Sequence, residues 1–173
     1  RELTFRWQLR QPALTFPDIT LNPGDHLFLR GASGSGKSTL LGLLAGLNTA
    51  DTGDIRLLGA SIGSLAPSAR DRFRADHIGV IFQQFNLVPY LTALANVILP
   101  CQLSPVRRDR ISSGTRDSGT ASAIHARAAT LLTALAIPQE LHSRKPAQLS
   151  IGQQQRVAAA RALMGAPELI LAD

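Results

Sequence analysis

Apolar residues in this chain recur with two periods, and the switch between them outlines the elements. Leu3, Phe5 and Trp7 alternate with Thr4 and Arg6, the two-residue period of a half-buried strand. His26-Leu-Phe-Leu29 predicts a strand, and Thr39-Leu-Leu-Gly-Leu-Leu-Ala-Gly-Leu47 predicts a helix after it. The runs Ile78 to Phe82 and Leu169 to Ala172 are short and apolar, the form of buried strands. Ala121 to Ala136 carries apolar residues at helical spacing and stops before Pro138. Gln153 to Met164 consists of good helix formers, and Gly165-Ala-Pro167 ends it. Residues 1–30 and about 52–62 read as strands of a small antiparallel unit, with Asp51-Thr-Gly53 as a turn. Ser112 to Thr120 is polar and Gly-rich, which predicts a mobile loop. No internal repeat is visible.

Composition narrows the class. At 173 residues with 45% apolar content, one domain with a sizeable core is expected. No apolar run approaches the roughly 18 residues of a membrane span, and no secretory signal is visible. The single Cys101 excludes an intramolecular disulfide and fits a reducing cytosol. The four His residues are scattered, without metal-ligand spacing, and read as structural or solvent-facing.

The net charge of +6 comes from 18 Lys and Arg against 12 Asp and Glu. Arg70, Arg72 and Arg74 alternate with Asp71 and Asp76, which predicts a solvated helix face. Arg107-Arg-Asp-Arg110 lies in a polar stretch without interleaved aromatics, so no nucleic-acid partner is expected. It reads as a charged surface facing acidic lipid head groups or a partner's loops.

Gly31-Ala-Ser-Gly-Ser-Gly-Lys-Ser-Thr39 carries the chemistry. Gly31 and Gly36 bracket four residues and precede Lys37 and Ser38, the spacing of a phosphate-binding loop. Its glycines allow turns that aim successive N–H groups at a phosphate, and the loop feeds a helix N-terminus that favours anions. Lys37 would reach the β- and γ-phosphates, and the Ser38 hydroxyl would ligate Mg²⁺. Gly31, Ser33, Gly34, Ser35, Gly36, Lys37, Ser38 and Thr39 are the nucleotide-binding candidates here. No Asn-Lys-x-Asp element for guanine occurs, so ATP is the expected nucleotide.

Three further elements follow in order. Gln83 emerges at the end of the Ile78–Phe82 strand, with Gln84 beside it as an alternative for the same role. In Leu149-Ser-Ile-Gly-Gln-Gln-Gln-Arg156, Ser150 is a natural N-cap and Gly152 is placed to open the helix, a second anion site. Leu169-Ile-Leu-Ala-Asp173 is four apolar residues ending in an acid, the Walker B form, which would bring Asp173 to a sheet edge to hold Mg²⁺.

Taken together, these motifs resemble the ATP-binding cassette (ABC) ATPases over essentially the whole chain. Phe82-Gln-Gln-Phe-Asn-Leu-Val-Pro89 and Leu91-Thr-Ala-Leu-Ala-Asn-Val97 look most like the bacterial lipoprotein-releasing and macrolide-export branch. The resemblance implies an α/β fold: a P-loop NTPase (RecA-like) core with a mainly parallel sheet, a small antiparallel β subdomain and an inserted α-helical subdomain. Core and antiparallel strands would occupy about 1–82 and 166–173, and the helical subdomain about 84–165.

By the same resemblance, Ser150, Gly152 and Gln153 would bind the γ-phosphate of a partner cassette, so that ATP is sandwiched in a head-to-tail dimer. Gln83 would contact Mg²⁺ and the attacking water, making Lys37, Gln83 and Asp173 the catalytic candidates and Ser38, Gln83 and Asp173 the metal candidates. Trp7 is the candidate for stacking on adenine, against the alternative of simple core packing.

The family usually reads Leu-Ser-Gly-Gly-Gln. Ile151 replaces the first Gly, and a β-branched residue resists positive φ, so negative φ is predicted there, with its N–H still facing the phosphate site. The implied partner is a membrane permease subunit touched near residues 84–105, with the protein peripheral on the cytoplasmic face of a bacterial inner membrane. A soluble ABC ATPase of cell division or nucleic acid, or an ATP-binding module without turnover, is the alternative. In this family a glutamate base directly follows the Walker B acid and a histidine switch comes later. Residues 1–173 include neither, so they are expected to bind ATP and hydrolyse it poorly or not at all.

Overall fold

The computed structural model describes residues 1–8, 10–113 and 120–173. The chain forms two compact units, Arg1–Arg74 with Asp173, and Ala75–Ala172.

In the first unit the antiparallel strands are short. β1 (Thr4–Phe5) pairs with β2 (Leu14–Thr15), and Thr4 also bridges Thr52. β3 (Arg56–Leu57) and β4 (Ala60–Ser61) form a hairpin turned by Leu58 and Gly59, both at positive φ, the backbone that matches strand twist. α1 (Lys37–Leu44) buries Leu40 and Leu43 against Leu3 and Phe5. Each such Leu contributes about 2 kcal/mol of burial. α2 (Pro67–His77) follows.

Two expectations fail in this unit. His26–Leu29 forms no strand: it has no ladder partner among the described residues, and Phe28 is 86% exposed. An apolar run signals a tendency to be buried, whereas a strand also needs a neighbour to pair with. The arginines of α2 are not a uniformly solvated face either. Arg70 donates to Thr49 Oγ1 at 2.9 Å and Arg74 donates to the Gly46 carbonyl, both half-buried, and Arg72 alone of the three is exposed. Long Arg stems cover apolar surface while their heads find acceptors.

In the second unit β5 (Ile78–Ile81) pairs in parallel with β6 (Leu169–Ala172), Ile78 opposite Leu169 and Ile81 opposite Ala172. This pair is the parallel part of the described sheet structure. β6 is less buried than its composition predicts, with Leu171 buried and Ile170 37% exposed. Helices α3 (Ala93–Leu103), α4 (Pro105–Ser112), α5 (Thr120–Ala134) and α6 (Ile151–Leu163) surround a core that includes Val97, Leu132, Ile137, Val157 and Met164. α6 lies so close to β5 that a Cβ on Gly79 would sit 2.3 Å from the Ala162 carbonyl oxygen. Of the predicted loop, Ser112 ends α4 and Thr120 starts α5, and residues 114–119 lie outside the described residues. Among the described residues, no helix is long and apolar enough to cross a membrane.

The Arg107–Arg110 cluster overturns its reading as a charged surface. Arg107 is 2% exposed and donates to the Met164 carbonyl at 3.0 Å and the Ile78 carbonyl at 2.7 Å. Arg110 donates to the Ala166 carbonyl at 2.9 Å and to the Glu168 carboxylate. Beside them the buried Asp76 accepts from Ser104 Oγ, whose hydroxyl also caps α4. Carbonyls left at the end of α6 and at the start of β5 give these guanidiniums their acceptors.

Candidate functional site

The loop before α1 is built for an anion. Gly34 and Gly36 sit at φ 78° and 90°, a region that side chains resist, and Gly36 caps α1 without any side-chain hydrogen bond. A helix start of this kind leaves its first-turn amides for an incoming acceptor. Lys37 folds back over the loop, donating to the Gly31 and Ala32 carbonyls at 2.9 and 2.8 Å. Its ammonium therefore sits at the loop's centre, held by acceptors that a phosphate oxygen can replace.

Ser38 and Asp173 meet. The Ser38 hydroxyl donates to Asp173 Oδ1 at 3.0 Å although 135 positions separate them. Hydroxyl and carboxylate oxygens are the hard donors Mg²⁺ prefers, and that ion keeps waters and substrate phosphates in its remaining positions. Among the described residues no group of three or more His, Cys, Asp or Glu side chains forms a metal site.

Next to the loop lies a cavity of about 590 Å³, lined by Trp7, Gln11, Pro12, Leu14, Gly34 and Ser38 among others. Trp7 is 60% exposed, its ring set edge-on to Phe5 with centroids 5.0 Å apart. It is therefore not a core residue, and it lines the cavity beside the phosphate loop. Ser33 and Ser35 are exposed on the loop, and Thr39 is buried at the start of α1.

In the second unit, Ser150 caps α6. Its hydroxyl accepts from the Gln153 amide at 3.2 Å, and the Gln153 side chain accepts from the Ser150 amide at 2.8 Å, a reciprocal capping box. The helix begins at Ile151, one residue before Gly152. Ile151 is absent from the positive-φ positions, as expected for a β-branched side chain, and it is 75% exposed. Gly152 is exposed with nothing near its Cβ position, so its surroundings leave the approach open. Gln83 and Gln84 are both exposed in a turn directly after β5, and nothing in the turn separates them as candidates.

Residues not foreseen from sequence hold the turn after β5. Asn96, fully buried, accepts from the Val88 amide at 2.8 Å and donates to the Val88, Leu91 and Thr92 carbonyls. Arg161 reaches the Phe85 and Asn86 carbonyls at 2.7 Å each. A buried Asn inside an otherwise apolar helix was the one sequence signal for this.

A family model described as ABC transporter matches residues 14–173. The chain is 41% identical to the uncharacterized ABC transporter ATP-binding protein YbbA of Escherichia coli (strain K12), over 92% of this chain and 64% of that one. It is 40% identical to the macrolide export ATP-binding/permease protein MacB of Marinobacter nauticus, over 96% of this chain and 24% of that one. It thus spans less than two thirds of the length of these relatives. Its fold is similar to the ATP-binding cassette MJ0796, solved as a dimer in a post-hydrolysis state with ADP and Pi, at a TM-score of 0.82 and 33% identity. That match covers all of this chain and 72% of the other. With this match added to the loop, the Ser38–Asp173 contact and the capped α6, the chain belongs to the ABC transporter family.

Proposed function

We propose that this chain is the ATP-binding part of a bacterial ABC transporter, which binds Mg–ATP at a head-to-tail dimer interface and uses its hydrolysis to power a membrane permease. The observation that carries the reading is the contact of Ser38 with Asp173, two oxygen donors from distant parts of the chain set at one point beside the phosphate loop. The loop amides and Lys37 would hold the phosphates, and Trp7 would stack on the adenine across the adjoining cavity. Ser38, Asp173 and Gln83 would hold Mg²⁺, which when bound offsets the charge on the phosphate oxygens. Ser150, Gly152 and Gln153 would offer the capped end of α6 to the nucleotide of a second cassette.

Several observations support the finer parts. The relatives named ATP-binding/permease proteins join the two roles, and the structural neighbour was solved as a dimer. A permease contact near residues 84–105 would place these residues at the cytoplasmic face of the inner membrane. The core would comprise about 1–82 and 166–173, with the helical subdomain at about 84–165. A polypeptide of residues 1–173 alone is proposed to bind ATP with little turnover, because the family's glutamate base follows the Walker B acid.

The test is purification of the complete polypeptide that carries these residues from detergent-solubilised membranes of its own host. A stoichiometric polytopic membrane protein in the eluate is the expected result. A purely soluble protein, or one that brings down nucleic acid, would overturn the transporter reading in favour of a non-transport ATPase.

A further inference from the structure

The turn that carries Gln83 is held in an unusual conformation, and its holder lies on the helix that begins at Ser150. Phe85 and Asn86, neither of them Gly, adopt φ of 59° and 46° in succession. Left-handed backbone is costly for side-chain-bearing residues, more so for bulky Phe than for Asn, and persists only where the surroundings over-determine it. Two local hydrogen bonds close the turn, from the Phe85 amide to the Phe82 carbonyl at 2.8 Å and from the Asn86 amide to the Gln84 carbonyl at 2.6 Å. The two successive residues with positive φ leave both their carbonyls within reach of one side chain. Both oxygens then face one planar fork: Arg161 donates through one terminal nitrogen to Asn86 and through the other to Phe85, each at 2.7 Å.

Among the described residues no carboxylate lies within salt-bridge reach of Arg161. Burial pulls its guanidinium below the ordinary value, so the charge is kept there against a desolvation cost. Ser150, at the start of the same helix, is capped by its own reciprocal box. One rigid helix therefore presents the capped end at Ser150 and, about three turns along, the clamp on the Gln83 turn.

We propose that Arg161 is a positioning residue that fixes the 82–86 turn in its left-handed form, so that Gln83 is set by the helix that begins at Ser150. The proposal rests on the reading of Gln83 as a group that acts at the nucleotide. Arg161 touches neither nucleotide nor metal in this scheme. It acts through two carbonyls, and any tilt of α6 moves the turn with it.

The experiment compares Arg161→Ala, Arg161→Lys and Gln83→Ala in the complete polypeptide. It measures ATP turnover, melting temperature, and amide exchange of the peptide covering residues 82–87. The expected result for Arg161→Ala is a fall in kcat of about 10-fold with KM for ATP within about 2-fold, because binding groups stay in place while one positioned group drifts. Exchange in the turn should rise. Arg161→Lys should fall between, since an ammonium reaches one carbonyl as a point charge and cannot fork across two.

Wild-type kcat and wild-type exchange in Arg161→Ala overturn the proposal. So does full recovery in Arg161→Lys, which would make charge or bulk the whole effect. If Arg161→Ala does not fold, Arg161→Lys decides by the same readings. If Gln83→Ala turns over normally, the reading of Gln83 fails and the proposal with it. If Gln83→Ala is impaired while both Arg161 variants are normal, the proposal alone fails.

Discussion

Ser38 Oγ donates to Asp173 Oδ1 across 3.0 Å, so a loop hydroxyl and a strand-end carboxylate share one point beside the phosphate-binding turn. Two groups that hold one ion should not act independently. Ser38→Ala and Asp173→Asn are each expected to weaken Mg–ATP binding by about 10-fold, and the double variant little more than either. Binding measured in a metal chelator should be nearly the same in all of them. Calorimetric titration with and without Mg²⁺ checks this, and additive losses would contradict it.

Trp7 is the only Trp and borders the cavity. Its emission should therefore report nucleotide directly: added ATP is expected to quench or shift it, as a stacked base excludes water from the ring. Trp7→Ala should lower ATP affinity about 10-fold, the usual worth of one aromatic–base stack. Emission that ignores saturating ATP would remove Trp7 from the site.

The capping box predicts a stability effect apart from any role with nucleotide. Ser150→Ala should cost about 1 kcal/mol, because an orphan amide at the start of α6 loses its acceptor. Thermal unfolding without nucleotide measures it, with Ser150→Asp expected to keep most of the stability.

Arg107 is a buried cation whose terminal nitrogens cover two carbonyls, while its Nε has no partner among the described residues. Arg107→Ala is expected to destabilise by about 3 kcal/mol, since the Met164 and Ile78 carbonyls lose their donors inside the protein. Urea unfolding of this variant against Arg108→Ala separates the buried residue from its less buried neighbour.

Glu168 lies between His77 and Arg110. Burial alone would push its carboxyl up, but the hydrogen bond with His77, with further help from a backbone amide and Arg110, outweighs burial and holds it below its ordinary value of 4.5. A carboxylate depressed in the folded state contributes stability above its unfolded value, and that contribution is lost as pH falls through the folded one. Melting temperature should therefore drop more steeply below about pH 4.5 in the wild type than in Glu168→Gln. Parallel curves would show that Glu168 contributes nothing to acid sensitivity.

Much of the site could be read directly because its chemistry is local. A phosphate loop is specified by the spacing of Gly31, Gly36, Lys37 and Ser38, and an N-cap by Ser150, whichever way the rest of the chain folds. The reciprocal capping box adds to that N-cap a bond from the Ser150 amide to the Gln153 side chain, which was not foreseen from the sequence. The parallel pairing of Ile78–Ile81 with Leu169–Ala172 agrees with their apolar runs.

What failed depended on long-range partners. Arg107 reads as surface by type, and only the carbonyls at Met164 and Ile78 make its burial tolerable. Arg70 and Arg74 likewise find acceptors more than 20 positions away. His26–Leu29 has the composition of a strand and no neighbour among the described residues. Side-chain type records what a residue prefers, and the fold decides whether that preference is met.

At Gly79 β5 runs so close to α6 that an added Cβ would meet the Ala162 carbonyl oxygen at 2.3 Å and Ile170 Cδ1 at 2.6 Å. The Ile170 side chain could change rotamer to make room for such a Cβ, but the Ala162 main chain could not. Any side chain at position 79 would have to push β5 and α6 apart, so this glycine sets how near the strand and the helix can approach.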